Sequence, residues 1–511
     1  MDLQNSVAII GGGIGGLTVG ALLASRGYQV SVFDKNAIIG GYCQGFRRRE
    51  NLIHPAVLRV GSHTCAKSVN NYLEQAGAEP VQWLKYHETY EFGNEIKIRQ
   101  GAEYLRADLI HFFPDEKEHI EDFFSSISAL YDIMNKVFMN NMSTRGLTMD
   151  EMNMYIPSLK LSAFDFVEKF FHGNTVLRDV ILSMLELDPK SVALAIPMTY
   201  FEIKGDDAYY VPTGGAFEIV KHLCGVIEKH GGKIYRRKTV TSVRVENSRC
   251  VSVLCGEEDY PCGMVISAMD INKTYQQLVG AEKIDDKKHM LVRLKSKWRI
   301  SKSCLSVWLG LDVPLEELNI PYGSIVYYQS EKNIFQVRQQ MSTTGETLPE
   351  DFWMQIFSVF SRDPLSTAAG NSQICLGLLL PYDFENHWGG DEYSETKNQI
   401  VRQVVECFER KYPKVKGHIT YIEAATPLTY EKETLNTNGA YLGFEKYENY
   451  VYDRGRHQNQ GLLSNLFFAS HWVSVIGGVN GVMQEALKTA NLVMEKFPLP
   501  DYNQRQFSVY E

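Results

Sequence analysis

The pattern of apolar and polar residues at the start of the chain predicts a strand, a turn, a helix and a second strand. Val7 to Ile10 form an apolar run without a polar break, which is typical of a strand buried on both faces of a parallel sheet. A glycine-rich turn follows, and residues 17–26 continue as a helix for which Gly27 is the expected C-terminal cap. The second strand covers residues 30–34. In this order, the elements predict a β–α–β unit of a parallel sheet.

Residues 88–205 have a different pattern, which predicts a mainly helical segment. Pro114 with the two acidic residues after it indicates the start of a helix. Apolar residues then recur at helical spacing between Ile120 and Phe138, so that they form one stripe. The pattern also predicts helices at 163–171 and 176–185. We therefore expect a helical cap inserted into the α/β fold.

The remainder of the chain predicts helices and strands in alternation. A helix at 217–230 is expected to end at the glycine pair Gly231-Gly232. Two-residue alternation and apolar runs then predict strands at 233–235, 240–245, 251–254 and 264–268. Farther along, strands are predicted at 305–311, 324–328, 353–361 and 373–380, followed by a helix at 396–411.

The glycine-rich turn carries the first chemical signal. Gly11, Gly13 and Gly16 form G-x-G-x-x-G at the point where the first strand passes into the helix. Gly11 permits the tight turn, Gly13 lets a pyrophosphate approach the backbone, and Gly16 lets the helix pack close to the strand. Asp34 lies eighteen residues after Gly16, where a carboxylate accepts hydrogen bonds from a ribose. We interpret the unit as a dinucleotide site; the alternative is a glycine-rich turn without a ligand.

Composition narrows the class of protein. At 511 residues the chain is expected to form two domains, and its net charge of −9 disfavours a nucleic-acid partner. Its nine cysteines are scattered singly, so neither a disulfide framework nor a metal site is expected. The pattern of a signal peptide is missing at the N-terminus, and no apolar run approaches the length of a membrane span. We therefore expect a cytoplasmic protein.

A second glycine pair, Gly40-Gly41, follows Asp34 and precedes Tyr42. This arrangement resembles FAD proteins of the amine-oxidase and phytoene-desaturase type, in which such a pair lets a loop pass close over the pyrophosphate and the flavin. The resemblance favours FAD over NAD as the cofactor. Relatives usually carry a basic residue where Tyr42 stands, so Arg47 or Arg48 is expected to supply that charge instead.

Several separated segments extend the resemblance over nearly the whole chain. They are Y-Y-V-P-T-G-G-A at 209–216, M-V-I-S-A-M-D at 264–270, A-T-P-L-T-Y at 425–430, G-A-Y-L-G at 439–443 and G-G-V-N-G at 477–481. Their order is similar to that of phytoene desaturases, carotenoid isomerases and retinol saturases. The resemblance implies a discontinuous Rossmann-type FAD-binding domain made of 1–65, 206–271 and 459–511. An α+β substrate domain with the helical cap is then expected at 66–205 and 272–458.

The motifs and the resemblance together define the expected site. Cofactor contacts are predicted for Gly11, Gly13, Ile14, Gly15, Gly16, Asp34, Lys35, Gly40, Gly41, Tyr42, Val240, Gly477, Gly478 and Val479. By the same resemblance, the candidate catalytic residues are His63, Tyr441 and Trp472. His63 stands in a V-G-x-H loop, for which a hydrogen-bonded loop histidine is the alternative.

These predictions favour an FAD-dependent oxidoreductase that acts on the carbon–carbon bonds of an apolar polyene or isoprenoid, by desaturation, saturation or isomerisation. One alternative is oxidation of an amine or a polar natural-product intermediate, with Tyr441 and Trp472 as an aromatic pair beside the flavin. Another is a flavin-binding scaffold without activity. Methionines between 134 and 154 are expected mainly in a helical core, with an apolar substrate lining or peripheral membrane contact as the functional alternative. Neither the substrate nor the electron partner can be named from these patterns.

Overall fold

A computed structural model describes residues 3–139, 143–184, 192–197, 208–280, 284, 299–330, 334, 336–337, 341, 348–382, 388–445, 459–474, 477–499 and 507. The strands are β1 Ser6–Ile10, β2 Gln29–Phe33, β3 Phe46–Arg48, β4 Asn51–Ile53, β5 Trp83–Tyr86, β6 Glu88–Phe92, β7 Ile96–Arg99, β8 Tyr209–Pro212, β9 Lys233–Tyr235, β10 Ser242–Glu246, β11 Arg249–Cys255, β12 Glu258–Pro261, β13 Met264–Ser267, β14 Ser303–Leu311, β15 Ser324–Tyr328, β16 Trp353–Phe357, β17 Ser372–Leu380, β18 Ile419–Ala425 and β19 Leu466–Phe468. The main helices are α1 Ile14–Ala24, α2 His63–Ala76, α3 Ala102–Phe112, α4 Lys117–Met139, α5 Met149–Ser158, α6 Ala163–Phe171, α7 Thr175–Met184, α8 Ala216–Lys229, α9 Tyr393–Lys411, α10 Pro427–Thr434 and α11 Gly478–Lys496.

A parallel sheet built from three distant parts of the chain forms the first core. Its strand order is β19-β13-β1-β2-β9, and every described pairing within it is parallel. All residues of the central strand β1 are buried, as its unbroken apolar run predicts. Apolar residues of α1, α8 and α11 pack in one cluster with this sheet. The predicted Rossmann-type α/β architecture is confirmed.

Helix α2 belongs to this same core. Its buried residues Val69, Tyr72, Leu73 and Ala76 lie in the cluster that contains α1 and α11. Strand β5, which follows α2, pairs with β8. Residues 66–81 therefore pack with the nucleotide-binding core, whereas the substrate domain was expected to begin at residue 66. Their apolar side chains are buried against α1 and α8 rather than against the cap.

A mixed sheet forms the second core, in the order β18-β14-β17-β16-β15-β6-β7. Its strands come from the two segments expected to form the substrate domain. Strands β6 and β7 lie within 88–205, where a mainly helical segment was expected. That expectation was wrong for this part, because Glu88, Tyr90 and Phe92 alternate as buried residues with the half-buried residues between them, which is the period of a strand.

Helices α3 to α7 pack against the β6–β7 end of the mixed sheet. The stripe on α4 is buried there, and the predicted helix at 163–171 is α6. Met149 and Met154 of α5 are exposed, whereas Met142 and the end of the predicted helix at Leu185 lie outside the described residues. Within the described part of the chain, no helix combines the length and the apolar character that a bilayer span requires.

Strand β16 is shorter than the run at 353–361 predicts. The extended conformation ends at Ser358, whose hydroxyl oxygen accepts the Gly323 N–H at 2.9 Å, and a short 3-10 helix begins at Val359. The Ser358 side chain thus binds the backbone directly before β15 at the point where the strand ends.

Candidate active site

A cavity of about 470 Å³ extends from the carboxyl ends of the parallel strands to one face of the mixed sheet. The first group of lining residues follows β1, β2, β13 and β19, and the second comes from β14 to β17. In open parallel sheets, ligands bind at the carboxyl ends of the strands, beside a helix N-terminus. This cavity therefore combines a nucleotide-type end with a separate chamber.

The glycine turn has the geometry of a phosphate cradle. A Cβ atom on Gly13 would have no neighbour within 4 Å, so this backbone faces open space in the cavity wall. A Cβ on Gly15 would lie 2.1 Å from the Ala469 carbonyl oxygen, and one on Gly16 would lie 2.1 Å from the Gly11 carbonyl oxygen. Gly16 does not line the cavity, and its role is the close packing of α1 on β1. The motif thus leaves one face free for a ligand while two glycines permit close backbone contacts.

Asp34 directly follows β2, and its side chain binds the backbone of the glycine turn. Its Oδ2 accepts the Gly12 N–H at 2.8 Å, and its Oδ1 accepts the Asn36 N–H at 2.7 Å. Burial raises the pKa of the Asp34 carboxyl, against the effect of these two hydrogen bonds. The carboxyl group lines the cavity, where a ribose hydroxyl would donate to it.

The second glycine pair lies directly against the first motif. The Gly40 N–H donates to the Gly12 carbonyl at 2.8 Å, and Tyr42 donates through its hydroxyl to the carbonyls of Gly439 and Ala440. Tyr42 thus fixes the loop to the segment at 439–443. Lys35 and Val240 also line this end of the cavity, and Ile14 lies beside Gly13 in its wall.

The expectation that Arg47 or Arg48 supplies a charge to the cofactor was wrong. The Arg47 guanidinium donates to the Glu50 carbonyl, and Arg48 forms an ion pair with Glu423 at 2.6 Å. Neither residue is among those that line the cavity. The arginine that does line it is Arg59, which no sequence motif indicated.

The C-terminal turn completes the cradle. Gly477 has φ +75° and precedes α11, and Gly478 and Val479 line the cavity with it. The N-terminus of this helix therefore points a partial positive charge at the chamber. The Ser470 hydroxyl donates to the Met269 carbonyl at 3.2 Å. Apart from Gly16, every predicted cofactor residue lies in the cavity wall, and the open backbone at Gly13 fits the approach of a pyrophosphate.

The three predicted catalytic residues are placed differently. Tyr441 lines the cavity. His63 is exposed at the start of α2, with its ring 5.7 Å from that of Tyr210, and Trp472 is fully buried with its Nε1 donating to Asn436 at 2.8 Å. Neither His63 nor Trp472 is a lining residue, so the expected aromatic pair of Tyr441 and Trp472 is not brought together in the cavity.

His471, the neighbour of Trp472, lines the cavity instead. Burial lowers the pKa of its imidazole to about 4, so the ring is neutral at ordinary pH. Its Nε2 is buried and has no hydrogen-bond partner within the described ranges. The sequence analysis missed this residue because nothing in the pattern shows which of two adjacent side chains faces the chamber.

The marker segment at 209–216 has a structural role. The Gly214 N–H donates to Asp363 Oδ2 at 2.7 Å, and a Cβ on Gly215 would lie 2.2 Å from the His54 Nδ1 atom. His54 Nε2 lies 2.8 Å from the Ser366 hydroxyl, which donates to Asp363. This buried network joins the start of α8 to the loop between β16 and β17. We call it the junction network.

The buried His54 makes stability depend on pH. Burial, with a smaller effect from Lys221, lowers the pKa of His54 to about 3, below its unfolded value near 6.5. The unfolded state therefore binds more protons between these values. Stability is complete above about pH 6.5 and is lost as the pH falls towards the folded pKa. From about pH 7 to about pH 5, we expect the titration of His54 to account for about 2 kcal/mol of the fall in the free energy of unfolding, measured by urea unfolding.

A His54→Gln variant should lose the His54 contribution, because glutamine does not titrate, and should keep the similar contribution of the buried His471. The exposed His172→Gln variant is the control and should retain both contributions. Equal slopes in both variants would contradict the assignment to His54.

Comparisons with known proteins agree with this geometry. The family described as flavin containing amine oxidoreductase matches residues 14–494. Two proteins of Danio rerio are each 24% identical to this chain. The first is an inactive all-trans-retinol 13,14-reductase, for which the match covers 83% of this chain and 74% of the relative. The second is an all-trans-retinol 13,14-reductase, for which the match covers 88% of this chain and 77% of the relative. A 4,4'-diapophytoene desaturase (4,4'-diapolycopene-forming) of Methylomonas sp is 24% identical, over 96% of this chain and 95% of its own. Among solved structures, putrescine oxidase bound to putrescine has a TM-score of 0.64 at 13% identity, over 96% of this chain and 99% of that one.

Proposed function

The chain belongs to the flavin-containing amine oxidoreductase family, and we propose that it acts on carbon–carbon bonds of an apolar polyene or isoprenoid, by desaturation, saturation or isomerisation. It is an FAD-dependent oxidoreductase. When bound, FAD supplies hydride chemistry, and the protein contributes binding, orientation and electrostatics. Its substrate and the direction of its reaction are the proposed part.

The apolar wall of the chamber is the observation that carries the proposal. The lining residues that come from the mixed sheet include Leu305, Val326, Tyr328, Trp353 and Leu378. Such a surface binds an extended hydrocarbon by burial of apolar area and excludes water from it. A small cationic amine would gain little from it.

Two titratable side chains beside the chamber are uncharged. His471 is neutral, and burial raises the pKa of the Tyr42 hydroxyl well above its usual range, so both groups stay uncharged beside the chamber. Charge that develops during reaction would then be stabilised by the N-terminal end of α11 and its backbone N–H groups. No titrating side chain needs to move a proton at the apolar wall.

Two further observations support a polyene over an amine. The relatives at 24% identity bear the names of a retinol reductase and a carotenoid-type desaturase. The fully buried Trp472 does not provide the aromatic pair on which the amine alternative depends. The likeness to putrescine oxidase concerns the fold.

Exposed Met149 and Met154 on α5 offer an apolar surface for contact with a membrane, through which an apolar substrate would arrive.

Anaerobic spectroscopy of the purified holoprotein tests the proposal. We expect lycopene or all-trans-retinol either to bleach the oxidised flavin or to reoxidise photoreduced flavin, with a mass change of two hydrogens in the extracted polyene. An isomerase would instead change the retention time of the polyene without a mass change, and only with reduced flavin. Putrescine serves as the matched test of the alternative. Bleaching by putrescine, with no change in either polyene, would contradict the proposal.

A further inference from the structure

Polar side chains line the cavity beside the apolar ones, and we call four described residues, Arg59, Glu88, Ser183 and Gln355, the polar cluster. Arg59, Ser183 and Gln355 line the cavity, and Glu88 lies directly behind them. They come from four separate elements or loops, so no local motif accounts for them. A chamber that held only hydrocarbon would have no use for such groups, since burying them is costly unless they are hydrogen-bonded.

Glu88 is the anchor of the polar cluster. Its side chain is fully buried, and its Oε1 lies 3.1 Å from Arg59 Nη1. Its Oε2 accepts from the Ser324 hydroxyl at 2.7 Å and from Gln355 Nε2 at 3.3 Å. The carboxylate is therefore compensated by a cation and by neutral donors, which is what a buried charge requires.

Arg59 is held in one orientation. Its guanidinium lies 4.5 Å from the ring centroid of Tyr209, in addition to its ion pair with Glu88. A planar guanidinium fixed on two sides is preorganised, so the side chain loses little conformational entropy when a ligand oxygen binds to it.

Ser183 provides an independent observation. It is 2% exposed, it lines the cavity, and its hydroxyl has no hydrogen-bond partner within the described ranges. The next residue, Met184, accepts a hydrogen bond from Tyr90, whose hydroxyl lies 3.4 Å from Glu88. Ser183 thus precedes a residue that is linked through Tyr90 to Glu88, and an unpaired buried hydroxyl in the cavity wall indicates a missing partner.

We propose that the polar cluster recognises a single neutral oxygen group, a hydroxyl or an aldehyde, at one end of the apolar substrate, with Arg59 as the specificity-determining residue. This inference rests on the proposed function and names its substrate class more closely. The described contacts pair the Arg59 cation with the Glu88 carboxylate, so a substrate carboxylate would lie close to a second negative charge. A neutral oxygen accepts from Arg59 and satisfies Ser183 without adding charge.

Binding of a matched retinoid series to the anaerobic holoprotein tests this. The probes are all-trans-retinol, all-trans-retinal, all-trans-retinoic acid and the hydrocarbon axerophthene, and flavin fluorescence reports each Kd. We expect the alcohol and the aldehyde to bind at least about tenfold tighter than the other two. In Arg59→Met, binding of retinol should weaken to that of axerophthene, whose own Kd should stay within about twofold.

Arg362→Met is the matched control, because Arg362 also pairs with a glutamate and stacks on a tyrosine, at 4.5 Å from the Tyr322 ring, yet lies outside the cavity wall. It should leave all four constants unchanged. If Arg59→Met does not fold because Glu88 is left unpaired, the double variant Arg59→Met, Glu88→Gln removes both charges and should give the same loss.

The outcomes separate the two proposals. Equal binding of all four probes, or tightest binding of retinoic acid, would overturn the inference and leave the proposed function standing. Binding of none of them, by a protein that retains its flavin, would overturn both.

Discussion

Gly13→Ala is expected to yield a folded protein that has lost its flavin. The added methyl would have no protein atom within 4 Å, and Gly13 has φ −75°, so the fold accepts alanine without strain. The methyl would instead occupy the part of the cavity wall that a pyrophosphate must approach. We expect binding of FAD to weaken at least about a hundredfold, while the free energy of unfolding of the apoprotein changes by less than about 0.5 kcal/mol. The ratio of flavin to protein and urea unfolding measure the two effects.

Gly225→Ala is the matched control. Gly225 lies within α8, and a Cβ there would also have no neighbour within 4 Å, but it is remote from the cavity wall. This variant should keep its full flavin content and gain up to about 1 kcal/mol, because alanine has the higher helix propensity. If Gly13→Ala retained the same ratio of flavin to protein as Gly225→Ala, the backbone at Gly13 would not contact the cofactor.

Asp363→Ala is expected to be the most destabilising single change in the junction network. Asp363 is 1% exposed and accepts from the Gly214 N–H, the Ser366 hydroxyl and the Leu365 N–H. Removal of its carboxylate leaves the buried Gly214 N–H and Ser366 hydroxyl without this acceptor at the contact between the nucleotide-binding core and the mixed sheet. We expect a loss of about 3–5 kcal/mol in the free energy of unfolding, measured in urea by far-ultraviolet circular dichroism.

Two further variants calibrate that result. Asp363→Asn keeps the shape and one carbonyl oxygen, so it should lose less than Asp363→Ala. Asp312→Ala removes an exposed carboxylate that pairs only at the surface with His418, at 2.8 Å, and should cost at most about 1 kcal/mol. Equal stability of Asp363→Ala and Asp312→Ala would show that the junction network does not hold the two cores together.

The cofactor end of the site was predictable from the sequence because its signals are local. The requirement for glycine at Gly11, Gly13 and Gly16 arises within one strand–turn–helix unit, and the acid at Asp34 follows at the end of the next strand. Gly40-Gly41 and Gly477-Gly478 form turns whose glycines have positive φ, a backbone demand that is visible in the residues themselves. The structure brings these segments to one cavity.

The chamber was not predictable because it depends on which way side chains face after packing. Trp472 and His471 are adjacent, yet the tryptophan is buried against Phe444 while the histidine lines the cavity. His63 lies on the exposed side of the first turn of α2, whereas Cys65, two residues later, is a lining residue. A sequence motif locates a segment but does not determine such orientations.

The sequence by itself determined the α/β class, the dinucleotide turn and, through the resemblance, FAD as the cofactor. These features rest on hydrophobic periodicity and on backbone conformations that few residues adopt. Only the tertiary structure decided that Glu88 contacts Arg59 and Gln355 and that Ser183 lines the same cavity. Their contact depends on strand register and helix packing between residues far apart in the chain, and no local propensity records those distances.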